Sequence, residues 1–208
     1  SIGFGGESGP ATIACTEEYN GTSWSVAASM PNILQQHGAS SSGTQTSTMA
    51  FGGVNPSVQS ATLHYTTATN VDSIIPYCLG TWSGAAALIT ARRALGGAGT
   101  QNAALAIGGG FPVTTCNEEY NGSSWTAGGA LSIARFYLKG SGTQNAGLAF
   151  GGCTNSTPSN STEEYDGSTW SGGGNMINGR FYLAGFGTQN ATLATGGSPT
   201  NGTEEYDG

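Results

Sequence analysis

Residues 103–125 read Ala-Ala-Leu-Ala-Ile-Gly-Gly-Gly-Phe-Pro-Val-Thr-Thr-Cys-Asn-Glu-Glu-Tyr-Asn-Gly-Ser-Ser-Trp. Ala103 to Ile107 is a short apolar run closed by Gly108-Gly109. Side chains alternate across an extended strand. Leu105 and Ile107 therefore share one face, and Ala104 and Ala106 the other. Both faces are apolar, one bulky and one small. A sheet covered on both sides needs that pattern, whereas a sheet with one wet side alternates apolar with polar. Cys116 to Tyr120 reads as the next strand. Asn121-Gly122 supplies a hairpin turn, because both residues accept positive φ at little cost. Ser124 to Thr126 begins the return strand around Trp125, and Gly128-Gly129 breaks it. Phe136 to Lys139 reads as the last strand, and Gly140 to Gly142 as a turn into the next unit. No segment has convincing helical periodicity.

The stretch is one copy of a repeat. Gly-Thr-Gln recurs at 43–45, 99–101, 142–144 and 187–189. A diglycine closes an apolar run at Gly5-Gly6, Gly52-Gly53, Gly108-Gly109, Gly151-Gly152 and Gly196-Gly197. Tyr19, Tyr65, Tyr120, Tyr165 and Tyr206 follow the diglycines, and Trp24, Trp82, Trp125 and Trp170 come next. Arg92, Arg135 and Arg180 precede the Gly-Thr-Gln strings at a constant spacing, with Gln36 in that place in the first unit. The units fall at roughly 1–45, 46–101, 102–144 and 145–189, with a partial unit at 190–208. Repeats of about 45 residues with four short strands each suit propeller blades, which pack face to face around an axis. The expectation is an all-β fold over residues 1–208. It is a single β-propeller domain of four-stranded blades, about five in number, or a fragment of a larger ring. Alanine and glycine should lie where blades approach closely near the axis. The second unit carries extra length between Tyr65 and Trp82. Residues 66–81 read as an extended hairpin or loop insertion, where specific contacts concentrate; a tolerated surface insertion accounts for it equally well.

The order Gly-Gly, Tyr, Trp and then Arg ahead of the next strand resembles the kelch repeat. Leu131-Ser-Ile-Ala-Arg135 is similar to the kelch segment with Arg between blades, and Ala106-Ile-Gly-Gly109 to its diglycine strand end. The resemblance covers essentially the whole chain. It implies a propeller and says little of function, since kelch propellers include binders, scaffolds and a few enzymes. Gly142-Thr-Gln-Asn-Ala-Gly-Leu-Ala-Phe-Gly-Gly152 and Thr162-Glu-Glu-Tyr-Asp-Gly-Ser-Thr-Trp170 resemble repeats in structural and tail-associated proteins of bacteriophages. That resemblance implies a virion or cell-surface location, outside the cell, and a role in assembly or host attachment.

Composition narrows the partners. Charged residues are 8% of the chain, with Lys and Arg numbering 5 and Asp and Glu 12, for a net charge of −7. A phosphate-tracking surface needs clustered cations, so nucleic acid and anionic membranes are excluded as partners. No apolar run has the length of a transmembrane helix. The chain opens at Ser1 without a signal-peptide pattern, which reads as a processed or truncated end. Cys15, Cys78, Cys116 and Cys153 form no CxxC pair, so neither a zinc module nor a disulfide scaffold is indicated. Cys15 and Cys116 hold equivalent repeat places, too far apart to bond, and a Cys116–Cys153 bridge between neighbouring units stays open.

The acidic pairs Glu17-Glu18, Glu118-Glu119, Glu163-Glu164 and Glu204-Glu205 invite a catalytic or calcium reading. Adjacent residues on a strand face opposite ways, so a pair cannot flank one substrate. The pairs read instead as solvated strands that resist edge pairing. Asp166-Gly-Ser-Thr-Trp170 is one residue too short for the Asp-box of sialidases. His37 and His64 fall at non-equivalent places, and metal sites usually gather several His or Cys. The expectation is no catalytic residue, no metal and no cofactor. The recurring Trp and Tyr read as blade packing. Aromatics outside the repeat are better contact candidates: Tyr77, Phe111, and the pairs Phe136-Tyr137 and Phe181-Tyr182, with one ring of each pair outward. Tyr77, Phe111, Tyr137 and Tyr182 are the expected ligand-binding residues. Asn-x-Ser/Thr sequons stand at Asn20, Asn121, Asn155, Asn160, Asn190 and Asn201; three of the six begin Asn-Gly, which also reads as turn chemistry. The functional expectation is a non-enzymatic binding protein. It meets other virion or surface proteins, or a host glycan or receptor, through loops at one face of the ring. A secreted carbohydrate-active enzyme and an intracellular kelch adaptor are the other readings.

Overall fold

The structure is a computed structural model that describes residues 14–19, 21–31, 36–39, 47–55, 57–67 and 80–208, together with the backbone of 2–4, 7–8 and 11–12. All regular structure among these residues is β. Five antiparallel sheets follow one another along the chain. The first holds Ile2–Phe4, Thr16–Tyr19 and Trp24–Ala27. The second holds Gly38–Ala39, Ser47–Phe51, Thr62–Thr67 and Gly80–Ala85. The third holds Gly96–Thr100, Ala103–Ile107, Asn117–Tyr120 and Trp125–Ala127. The fourth holds Lys139–Gly142, Gly147–Phe150, Thr162–Tyr165 and Trp170–Gly172, and the fifth Ala184–Thr188, Ala191–Thr195 and Thr203–Tyr206. In the three central sheets each strand pairs with the next of its sheet in chain order.

The leading strands of the second to fifth sheets pack beside one another in order. These four sheets are arranged as the blades of a four-bladed β-propeller are. The first sheet lies against the second. The five repeat units thus give four blades with an innermost strand, and one sheet without such a strand among the described residues.

The segment after each tryptophan strand corrects the expectation from sequence: it is not the last strand of its own unit. Lys139–Gly142 pairs with Gly147–Phe150 and so opens the fourth sheet. Gly140 to Gly142 is strand rather than turn, and the turn falls after it. The physical reason is crowding near the axis. A Cβ on Gly140 would stand 2.7 Å from the Gly97 carbonyl oxygen of the neighbouring innermost strand and 2.9 Å from Ile107. Glycine here lets two backbones touch rather than reverse.

The two-faced reading of Ala103–Ile107 holds. Ala104 and Ala106 pack with Met49, Phe51, Leu88 and Tyr120 in one cluster. Leu105 and Ile107 pack with Leu131, Leu138 and Tyr165 in another. Each of the larger side chains contributes about 1.5–3 kcal/mol by leaving water.

Three recurring side chains join successive sheets, each of them at some of the junctions. The tyrosine of the third strand donates its hydroxyl to a carboxylate of the preceding sheet: Tyr65 to Glu18, Tyr165 to Glu119 and Tyr206 to Glu164. The tryptophan indole donates to the tyrosine-bearing strand of the preceding sheet, Trp82 to Thr16 at 2.9 Å and Trp125 to Thr62 at 3.0 Å, while Trp170 Nε1 has no partner among the described residues. The glutamine of Gly-Thr-Gln donates to carbonyls of the preceding sheet, Gln144 to Tyr120 at 2.7 Å and Gln189 to Tyr165 at 2.8 Å.

The repeat arginines are wholly interior. Arg92, Arg135 and Arg180 are at most 1% exposed. Arg135 donates to the Gly151 and Ser161 carbonyls at 2.9 and 2.7 Å and to Glu163 at 2.8 Å. Arg92 pairs with Glu118 at 3.1 Å, and Arg180 with Glu204. This overturns the reading of the acidic pairs as solvated strands. Glu118, Glu163 and Glu204, each the first of its pair, take the arginine of the linker that leads into their sheet, and Glu18, Glu119 and Glu164, each the second, take the tyrosine of the next sheet. Glu18, Glu118 and Glu163 are buried. Opposite facing, which rules out a shared substrate, is what lets one pair serve two partners.

Candidate functional site

The diglycine ends of the blades and the segments linking one blade to the next lie at the same end of the ring. In an up-and-down sheet, alternate connections share an end. At that end the structure gathers the aromatics that fall outside the repeat core. Phe111 and Phe136 meet edge-on with centroids 6.2 Å apart. Phe136 lies 4.9 Å from Tyr137, Tyr137 lies 4.1 Å from Tyr182, and Tyr182 lies 4.9 Å from Phe181. Three of the four expected contact residues, Phe111, Tyr137 and Tyr182, thus belong to one row of rings. Phe111 is 51% exposed and Tyr182 58% exposed. The guanidinium of Arg93 sits over the Phe111 ring, 3.7 Å from its centroid. Tyr77, and most of the 66–81 insertion, lie outside the described residues. Of that insertion, Thr66–Thr67 and Gly80–Thr81 continue a ladder of six residue pairs, so the hairpin is extended at its base.

The backbone under this row is unusual. Phe111, Tyr137 and Tyr182 have φ of 70°, 55° and 58°, and Gln36 and Ala94 have 53° and 56°. Bulky residues seldom enter the left-handed region, at a cost of about 1–3 kcal/mol each. A relay of backbone hydrogen bonds joins four of these five residues, Phe111 lying outside it. Ala94 N–H donates to Gln36 at 2.7 Å, Tyr137 to Ala94 at 2.7 Å, and Tyr182 to Tyr137 at 3.3 Å. The relay steps from linker to linker around the mouth. The sequence marks these aromatics as additional to the recurring tyrosine and tryptophan, but it reads Tyr137 as strand, whereas the structure makes it a bend between blades. Arg93 also joins the row; in the sequence it follows the repeat arginine Arg92 and reads as part of it, which hides it.

The remaining candidates resolve into scaffold. His64 stands where the other sheets place the second glutamate. Burial lowers its pKa, and its Nε2 has no hydrogen-bond partner among the described residues. Its imidazole meets the Tyr120 ring edge-on at 5.5 Å. The Tyr165 hydroxyl is pushed up to about 12 by burial and by its bond to the Glu119 carboxylate. Asp166 accepts the Ser168 and Thr169 N–H groups at 2.8 and 2.7 Å, which is turn chemistry, and those bonds lower its pKa. Asn121 holds the equivalent turn through Ser123 and Ser124. Cys15, Cys116 and Cys153 are free thiols, so the bridge left open between Cys116 and Cys153 does not form. Among the described residues no three His, Cys, Asp or Glu gather as metal ligands.

A cleft of about 340 Å³ opens between the fourth and fifth sheets. It is lined by Leu148, Phe150, Thr162, Met176 and Tyr206, among others. No protein-family model matches the chain, and no curated protein matches it.

Proposed function

We propose that this chain is a non-enzymatic, kelch-like propeller of about five blades on a virion or cell surface. It attaches to a host glycan or surface protein through the aromatic row at the mouth of the ring. The observation that carries the reading is the row of rings at the mouth, with Phe111 51% and Tyr182 58% exposed. The left-handed backbone of Tyr137 and Tyr182 is shared by Gln36 and Ala94 and belongs to the linkers of the ring. Two exposed rings, one of them beside the Arg93 cation, offer stacking faces and a few polar groups, the usual make-up of a recognition surface. The resemblance of the repeat strings to phage structural proteins supports the surface location. The 66–81 hairpin is a second contact element of the same protein.

A glycan array probed with the purified chain tests this. Binding should fall at least about tenfold in Tyr182→Ala and in Tyr137→Ala, with circular dichroism unchanged. Binding that survives both substitutions refutes the site. Turnover of any glycoside refutes the non-enzymatic reading.

A further inference from the structure

Of the four arginines in the chain, Arg92, Arg135 and Arg180 are interior and each pairs with a glutamate. Arg93 is different. It is half-buried, and among the described residues no hydrogen bond or ion pair engages its guanidinium. The guanidinium lies over the Phe111 ring instead. Two main-chain bonds hold linker and loop together beside this stack: Gly110 N–H donates to the Arg93 carbonyl at 2.7 Å, and Arg93 N–H to the Gly110 carbonyl at 3.5 Å.

The repeat does not demand an arginine here. Arg93, Phe136 and Phe181 each follow the repeat arginine, and each bridges to the diglycine loop of the sheet it leads into, at Gly110, Cys153 and Ser198. The next loop residue is Phe111 in the third sheet, Thr154 in the fourth and Pro199 in the fifth. The third sheet therefore carries its aromatic in the loop rather than the linker, and a cation where the others have the ring. Charge at this end of the ring is one-sided. The linkers and loops around the stack, residues 86–95, 108–115, 128–138 and 151–160, contain no Asp or Glu. Lys139, the only lysine, opens the innermost strand of the fourth sheet at the same end, and it has no ion pair among the described residues. Burial lowers its pKa, with no carboxylate acting to raise it. The two cations without a carboxylate thus stand at one end of a chain whose net charge is −7. Arg93 and Phe111 lie between the second and fourth sheets, with described blades on either side.

We propose that the ligand of this part of the mouth is an acidic saccharide, a deepening that rests on the glycan-attachment reading above. Its carboxylate or sulfate takes the planar fork of Arg93, and the apolar face of the sugar lies against Phe111 and Phe136. A guanidinium suits a two-oxygen anion. Stacking on Phe111 holds it in place beforehand, so little side-chain freedom is lost when the anion arrives. A neutral sugar covers the same rings but leaves the cation desolvated and unpaired, which sets the preference.

The test is an array of matched glycans, each neutral parent beside its uronate and its sulfate ester, probed with the full chain. At least one acidic form should bind about tenfold or more tighter than its neutral parent, as a charge-assisted hydrogen-bonded pair supplies; the uronate and sulfate arms show which anion is preferred. Arg93→Gln should abolish that difference while leaving the heat unfolding in place. The matched comparison uses unaltered protein, so a misfolded variant cannot decide the outcome. Equal binding of acidic and neutral forms, or a preference that survives Arg93→Gln, overturns the proposal and leaves the attachment reading standing. An oligoglutamate peptide that competes as well as the acidic glycan overturns the saccharide and leaves only an anion site. Absence of binding to every glycan removes the proposal together with the glycan reading on which it rests.

Discussion

Arg135→Ala should cost about 4 kcal/mol or more of folding stability. The side chain is fully buried and makes three hydrogen bonds, two to the Gly151 and Ser161 carbonyls and one to Glu163. Removing it strands the Glu163 carboxylate, which keeps the Ser132 amide and hydroxyl, each at 2.7 Å. Breaking a buried pair from one side costs about 3–5 kcal/mol, because an uncompensated charge stays inside. Each orphaned carbonyl adds up to about 1–3 kcal/mol where water cannot reach it. Against a total of about 5–15 kcal/mol for a domain, the variant sits near the edge of folding. Arg135→Lys keeps the charge but not the planar fork, so it should lie between. The assay is equilibrium urea unfolding read by tryptophan fluorescence. A double-mutant cycle with Glu163→Gln should show coupling of at least about 1 kcal/mol, since the glutamine no longer leaves a charge behind. A loss below about 1 kcal/mol for Arg135→Ala, or a coupling near zero, refutes the view of these pairs as interior struts.

Three further outcomes are expected. Gly140→Ala should destabilise by about 2 kcal/mol or more through overlap with the Gly97 backbone, whereas Gly172→Ala, with nothing within 4 Å of its would-be Cβ, should be near neutral; thermal melts of the two variants decide. His64→Glu restores at the second sheet the carboxylate that Tyr65, Tyr165 and Tyr206 meet elsewhere, and should raise stability at neutral pH by about 1–2 kcal/mol. Because burial holds folded His64 below its ordinary 6.5, its contribution is present above pH 6.5 and drains as pH falls through the folded value; the substitution should remove that part of the acid sensitivity, read by melting across pH 4–7 (a range of about three units). Tyr165 titrates near 12 when folded against about 10 unfolded, so its contribution is present below pH 10 and lost between there and about 12. Phenolate absorbance should show this late titration in the wild type, and Tyr165→Phe should lose it.

Most of the fold is legible in the sequence, because the propeller is written as a repeat and each marker has one structural duty. Ala104 and Ala106 against Leu105 and Ile107 announce a strand packed on both faces. Asn121-Gly122 announces its turn. What misleads is local plausibility. Gly140-Ser-Gly142 looks like a turn until the neighbouring Gly97 backbone is in view, and that proximity is not local in sequence. Glu118-Glu119 looks like a wet strand, since single residues do not reveal that Arg92, in the linker before this sheet, reaches Glu118 and that Tyr165 of the next sheet reaches Glu119. The recurrence of an acidic pair ahead of each tyrosine but Tyr65, and of an arginine ahead of three of the four Gly-Thr-Gln strings, was the available signal. At the candidate site, Phe111, Tyr137 and Tyr182 stand out because they are aromatics other than the recurring tyrosine and tryptophan of the blades. Their conformation and their meeting come from the ring, which no single unit contains.

The tyrosine, tryptophan and glutamine bonds between sheets all point the same way, from a later sheet to an earlier one. A chain leaving the ribosome N-terminus first therefore finishes each surface of acceptors before the donors for it exist. Waiting carboxylates, hydroxyls and carbonyls are comfortable in water. Each new blade then arrives with hydroxyl, indole and amide groups to lock onto a template already in place. Along these three contacts the chain assembles like a zipper with a fixed direction, while the Ile89, Ser132 and Ile177 amides wait as donors for a glutamate of the sheet to come.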